Sequence, residues 1–274
     1  MTEEEVSEEV AAAVTRCMDC AMAVIAKATG GTKKDSWADS VTSISELSAA
    51  YATASSKDEL VSRAVIQRAI EYSTVEKDAI RTASCTMLGW CVKNLVESSK
   101  PAASILKKKG SKNNGSSAVN TKKNNGTASG WKLECLLDVG RALQPRLTDK
   151  IAKVRNAAIL ACVPFSSEGV KNVISGTDGD ANSKDFEKMM TSIQNTLLWI
   201  MTNDSSAPNR ALVAQSGHSV VSSTETIPYI IERVKDVDVK VREAALDSLR
   251  ENVTLDDLTE DQRVEILRYG LTKR

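Results

Sequence analysis

The strongest constraint on the fold of this chain is a short signature that occurs three times. It reads Asp149-Lys-Ile-Ala-Lys-Val-Arg155, then Asp204-Ser-Ser-Ala-Pro-Asn-Arg210, then Asp236-Val-Asp-Val-Lys-Val-Arg242. In each copy an Asp is followed, six positions later, by an Arg. Apolar helical sequence precedes each Asp, and small or apolar residues follow each Arg: Asn156-Ala-Ala-Ile-Leu-Ala-Cys162, Ala211-Leu-Val-Ala214 and Glu243-Ala-Ala-Leu-Asp-Ser-Leu249. The unit predicted is helix, tight turn, helix. A lone helix pair cannot bury both of its faces, so repeated pairs stack.

Each residue of the signature has a physical job. An Asp at the turn accepts hydrogen bonds from free backbone N–H groups and complements the helix dipole, and such a cap contributes about 1 kcal/mol. The Arg lies one turn into the second helix. Its planar fork can bridge to the Asp of its own unit or of a neighbour. Asp149, Arg155, Asp204, Arg210, Asp236 and Arg242 are therefore read as structural. A weaker relative surrounds Arg81, where Ala83, Ser84 and Cys85 supply the small residues and Val75 stands in the Asp position.

Capping boxes at Thr2-Glu-Glu-Glu5, Ser56-Lys-Asp-Glu59 and Thr259-Glu-Asp-Gln262 mark further helix starts. Residues 1–97 are read as N-terminal helices with the degenerate unit. Residues 98–132 carry eight lysines and no acid, with Asn and Gly between them, and read as a disordered basic insertion. Residues 133–274 hold the three clear units, interrupted by glycines and aspartates from Ser166 to Ser183, with helix resuming near Asp185. The last helix carries Val264, Leu267 and Leu271 on one stripe. A helical array normally ends on a polar cap, so this stripe leads to the expectation that the array continues beyond the given sequence.

Charge and composition narrow the function. With 36 basic and 36 acidic residues the net charge is zero, so any attraction to nucleic acid is local. No apolar run is long enough for a membrane helix. Cys17-Met-Asp-Cys20 has metal-like spacing but no second pair, and His218 is the single histidine. The glycines follow neither nucleotide-binding pattern. Neither a catalytic constellation nor a cofactor, metal or small-molecule site is read here. The better binding candidates are cations: Lys150, Lys153 and Arg155, then Lys240, Arg242 and Arg250. Equivalent turns of a curved stack align, so Lys153 and Lys240 would fall along one ridge able to touch DNA phosphates without reading bases. The lysines between Lys107 and Lys123 could add a flexible basic tract.

The Asp–Arg turns resemble HEAT repeats. The stretch from Asn195 to Arg274 is more specific. There Leu249-Arg-Glu-Asn-Val253, Leu258-Thr-Glu-Asp-Gln-Arg-Val264 and Leu267-Arg-Tyr-Gly-Leu271 follow the Asp236 turn, and the whole resembles the condensin subunit 3 family. The resemblance covers residues 133–274 well and 57–97 loosely. It implies an all-α, armadillo-like superhelical solenoid of HEAT repeats, interrupted by the Lys/Asn/Gly-rich insertion. It also implies a non-catalytic subunit, without cofactor. Such a subunit holds the kleisin subunit and double-stranded DNA, beside the SMC ATPase subunits, in mitotic chromosome condensation in the nucleus and on chromosomes. A general HEAT adaptor of the phosphatase-scaffold or nuclear-transport type is the alternative.

Overall fold

The structure is a computed structural model, and it describes residues 59–97, 130–175, 181–220 and 223–270. These residues are mostly helical, and none of them forms a strand. In order, the α-helices are α1 (Glu59–Ser73), α2 (Asp78–Glu97), α3 (Gly130–Leu147), α4 (Ala152–Cys162), α5 (Glu168–Ser175), α6 (Ala181–Asn203), α7 (Ala207–Val220), α8 (Ser223–Arg233), α9 (Val239–Asn252) and α10 (Glu260–Gly270). Two 3₁₀ turns occur: Val163–Ser166 continues the end of α4, and Leu255–Asp257 lies in the connection between α9 and α10.

Four helix pairs are joined by tight turns: α1–α2, α3–α4, α6–α7 and α8–α9. The first helices of successive pairs touch one another, α1 on α3, α3 on α6 and α6 on α8. The second helices do the same, α2 on α4, α4 on α7 and α7 on α9. The result is two rows with a continuous apolar interior. Leu88, Leu133, Leu136, Leu143, Ile193 and Ile200 are all fully buried in it. Its continuity explains why no single pair needs a core of its own.

The second row is close because its residues are small. Ala157, Ala158 and Ala161 of α4 are buried, and α2 offers Gly89 opposite them. A Cβ on Gly89 would stand 2.7 Å from the Ala161 Cα, which is backbone and cannot step aside. Gly140 of α3 is different: a Cβ there would strike the Met189 thioether of α6, the end of a flexible side chain.

Three boundaries differ from the sequence reading. Within the expected interruption from Ser166 to Ser183, α5 forms, with Val170 and Val173 buried and Ile174 against the core. The flanking glycines obscure a short stripe at helical spacing. Helix resumes at Ala181, ahead of Asp185. Helix α3 begins at Gly130, so Trp131 and Lys132 belong to it rather than to the basic insertion. Residues 98–129 lie outside the described residues, as do the first predicted capping box and residues 56–58 of the second, whose Glu59 opens α1. The third opens α10: the Thr259 N–H donates to Gln262 Oε1 at 2.9 Å, and the Gln262 N–H donates to Thr259 Oγ1 at 3.3 Å. Helix α10 is held to the α8–α9 turn by the Lys235–Glu265 ion pair and by Lys235 Nζ, 5.3 Å from the centre of the Tyr269 ring. Its Val264 and Leu267 are exposed.

The contrast between the two glycines is testable by chemical unfolding. Gly89→Ala is expected to destabilise by about 1–3 kcal/mol, the usual cost of overpacking. Gly140→Ala is expected to lose less, because Met189 can turn away and alanine favours the helix by about 1 kcal/mol.

Candidate functional site

The four turns form one line of charge. Each signature Asp first folds its own turn. Oδ1 of Asp149 accepts from the Ile151 N–H at 2.9 Å, that of Asp204 from the Ser206 N–H at 2.7 Å, and that of Asp236 from the Asp238 N–H at 3.0 Å. This is a turn-closing bond, and it sets the Asp before the helix cap rather than at it. The cap of α9 is Asp238, which accepts from the Lys240 N–H at 2.8 Å.

The arginines then join one unit to the next. Arg81 donates Nε to Asp149 Oδ2 at 2.8 Å and Nη2 to Asp149 Oδ1 at 3.1 Å. Arg155 grips Asp204 in the same two-pronged way at 2.7 and 2.6 Å. Arg210 grips Asp236 at 2.9 and 2.8 Å. Every bridge runs to the following unit, never to the arginine's own Asp side chain. Meanwhile Nη1 of each fork ties back to its own turn. Arg155 reaches the Asp149 carbonyl at 2.7 Å, Arg210 the Asp204 carbonyl at 2.7 Å, and Arg242 the Asp236 carbonyl at 2.7 Å. Arg81 does the same to the carbonyls of Val75 and Glu76. That bond uses the backbone alone, so Val75 can replace the Asp without freeing Arg81.

Three further residues complete the line. Arg146 and Arg233, each three positions before a signature Asp, donate to Asp149 and Asp236 at 3.3 Å. In the middle unit that position is Met201, and the fully buried Asn209 takes over: its amide lies 3.3 Å from Asp204 Oδ2 and 3.2 Å from the Ala152 carbonyl. Asn156 donates to Asn209 Oδ1 at 3.1 Å, a second tie between α4 and α7. The Arg-x-x-Asp spacing was visible in the sequence. The substitution of Asn209 for an arginine was not, because it depends on what is missing at Met201.

Burial alone pushes the three carboxyls up. The arginine hydrogen bonds and the turn amides outweigh it, so Asp149, Asp204 and Asp236 are all held below the ordinary value of 3.8. Five guanidinium groups (Arg81, Arg146, Arg155, Arg210, Arg233) meet the three signature carboxylates along this line, Arg242 bonds backbone carbonyls, and Asp238 adds a further carboxylate in the last turn.

The lysines beside the line are free. Lys150, Lys153 and Lys240 are exposed, and none makes an ion pair among the described residues. Lys153 and Lys240 occupy the same position in the second and fourth turns, where the third turn has the exposed Pro208. At a helix spacing of 8–10 Å they stand about 20 Å apart. The remaining candidates are engaged differently. The fork of Arg155 is filled by Asp204, and Arg242 is bound through Nη1 to its own turn. Arg250 sits towards the far end of α9 and pairs with Asp247 at 3.1 Å and Glu251 at 3.7 Å.

Other chemistry is limited among the described residues. No group of three or more His, Cys, Asp or Glu could hold a metal ion, and no helix is long and apolar enough to cross a membrane. Burial pushes the Cys85 thiol up to about 12 and the Cys135 thiol up to about 11, and raises Cys162 as well. Such thiols stay protonated at neutral pH and are poor nucleophiles. Cys17, Cys20 and the His218 side chain lie outside the described residues.

No family model matches the chain. One curated relative, human condensin complex subunit 3, is 31% identical over 136 residues, half of this chain. The chain spans 11% of that relative's length.

Two outcomes follow for the line of charge. Asp204→Ala strands the Arg155 fork against buried surroundings and is expected to cost about 3–5 kcal/mol in urea unfolding, well above the value of about 1 kcal/mol for a turn cap. The pH dependence has a fixed sign. A depressed carboxyl contributes fully above the unfolded value and loses its contribution as pH falls through the folded one. The urea midpoint is therefore expected to be flat near neutrality and to drop below about pH 4, less steeply in Asp204→Ala than in the parent.

Proposed function

We propose that this chain is part of a HEAT-repeat solenoid of the condensin subunit 3 type. It is a non-catalytic element that holds a kleisin subunit, works beside SMC ATPase subunits, and contacts double-stranded DNA on chromosomes in the nucleus. The observation that carries the reading is the sequence identity with condensin complex subunit 3 over 136 residues. The two rows of helices and the unit-to-unit bridges support it, since stacked pairs locked at their turns are what a long scaffold requires.

DNA contact rests on the turn lysines. Lys150, Lys153 and Lys240 are exposed and unpaired among the described residues, beside the arginines of the line. Long flexible ammonium groups suit phosphate contact without base readout. Arg155 and Arg250 act through their existing partners, one bracing the scaffold and the other closing an exposed acidic pair.

The test is binding of a fluorescent DNA duplex by the full chain with a kleisin segment, across a salt series. Affinity is expected to fall steeply with salt. The triple change Lys150→Glu, Lys153→Glu and Lys240→Glu is expected to flatten the log–log slope by about 2–3, near 0.9 for each phosphate no longer neutralised. A slope unchanged by the triple variant would remove these lysines from the reading. Binding of protein partners with no salt-sensitive DNA binding would favour a general adaptor.

A further inference from the structure

One face of α6 lines a groove rather than the core. Lys188, Thr191, Ser192, Asn195, Thr196 and Trp199 recur there at helical spacing, and Thr148, just past the end of α3, lines the same groove of about 550 Å³. Trp199 is 56% exposed, while Ile193, Leu197 and Ile200 of the same helix are fully buried in the core.

The polar groups of the groove differ in what they still offer. The hydroxyls of Thr191 and Thr196 donate to the carbonyls of Glu187 and Ser192, both at 2.9 Å, and that of Thr148 donates to the Pro145 carbonyl at 3.3 Å. Their protons are spent within the chain. Asn195 has spent nothing: its carboxamide is exposed and makes no hydrogen bond among the described residues, so it keeps both donors and an acceptor. Lys188 is the one cation lining the groove, and no acid lines it. Its contact with Asp185 is exposed and 3.8 Å long, and Asp185 is shared with Arg141 at 3.6 Å. Such a contact holds the ammonium weakly, and its other donors stay open.

This set of groups selects an occupant. An amphipathic helix would need apolar positions along the whole stripe, and only Trp199 supplies a large one. A nucleic-acid strand needs a track of cations, and the groove has one. An extended peptide needs what is present. The Asn195 carboxamide can pair with a backbone N–H and a backbone C=O at once. The Trp199 ring offers a face to an apolar side chain, and Lys188 offers a charge to an acidic one. Along the helix, Lys188 and Asn195 stand about 10 Å apart and Asn195 and Trp199 about 6 Å. An extended chain advances about 3.3 Å per residue, so Lys188 and Trp199 match side chains about five positions apart.

We propose that the α6 groove binds an extended peptide segment of a partner protein, with an acidic side chain at Lys188, an apolar side chain at Trp199 and the backbone between them held by Asn195. The assignment rests on α6 and Thr148 alone and holds whether or not the turn lysines touch DNA.

The test uses the full chain and displayed random hexapeptides, selected in parallel on the parent and on Trp199→Ser. Peptides enriched on the parent alone are expected to carry Asp or Glu at one end and an apolar residue at the other. One enriched peptide is then synthesised and added while the Trp199 indole N–H resonance is followed. A saturable shift is expected. Affinity should fall about tenfold in Asn195→Ala, which loses two hydrogen bonds, and about fivefold in Lys188→Glu. The Lys188→Glu loss should shrink for a peptide whose acid is replaced by Lys. All three side chains are exposed, so the variants should keep the parent's urea midpoint, and the losses then read the groove and not the fold. Three results would each overturn the proposal: no enrichment that depends on Trp199, enriched peptides without the acidic and apolar ends, or a Trp199 shift caused by a single-stranded oligonucleotide and by none of the peptides.

Discussion

Everything in this fold depends on arginines that reach forward. A guanidinium on the second helix of one unit holds the carboxylate that shapes the turn of the next, and its third nitrogen holds the turn it came from. Turn geometry and unit spacing are therefore specified by the same side chain. Charges this buried are costly unless fully satisfied. Here the carboxylates are satisfied by a fork, a backbone amide and a third donor, either Arg146, Arg233 or Asn209. The energetic worth of the line lies less in attraction than in the penalty for leaving any member unpaired.

The bridges also demand a particular helix separation. An arginine has one length, and the second-row helices must approach until the fork meets the carboxylate. Ala157, Ala158 and Ala161 on α4 and Gly89 on α2 allow that approach. The small residues after each arginine and the arginine itself are two halves of one specification, one setting distance and the other locking it.

Much of this was legible in the sequence, for reasons that differ by element. The helix–turn–helix unit could be read because Asp and Arg recur at a fixed offset, and the weak copy at Arg81 because its small residues kept that offset. The direction of each bridge could not be read. Arg155 is six positions from its own Asp and 49 from the one it grips, and only packing brings the second closer. An Asp ahead of a helix suggests a cap by residue type, yet Asp236 closes the turn two residues earlier and leaves the cap to Asp238. Helix α5 stayed hidden because glycines on both sides outweighed a stripe of three apolar residues. Among the basic candidates, sequence could list charges but not their partners. Structure separates the exposed lysines from Arg155, whose fork is spent, and from Arg250, which faces its own acids.

Val75 gives the line a direction. Its turn holds Arg81 through backbone carbonyls and has a valine at the position where the other turns place their aspartate. A neighbouring copy that presented its Arg242 to that turn would find a valine. The carboxylates of Asp149, Asp204 and Asp236 are each already gripped from within. The two-pronged bridge seen at the other turns has no counterpart at Val75. Repetition alone would make all four turns equivalent, and one apolar residue makes this turn a giver of the bridge and never a receiver.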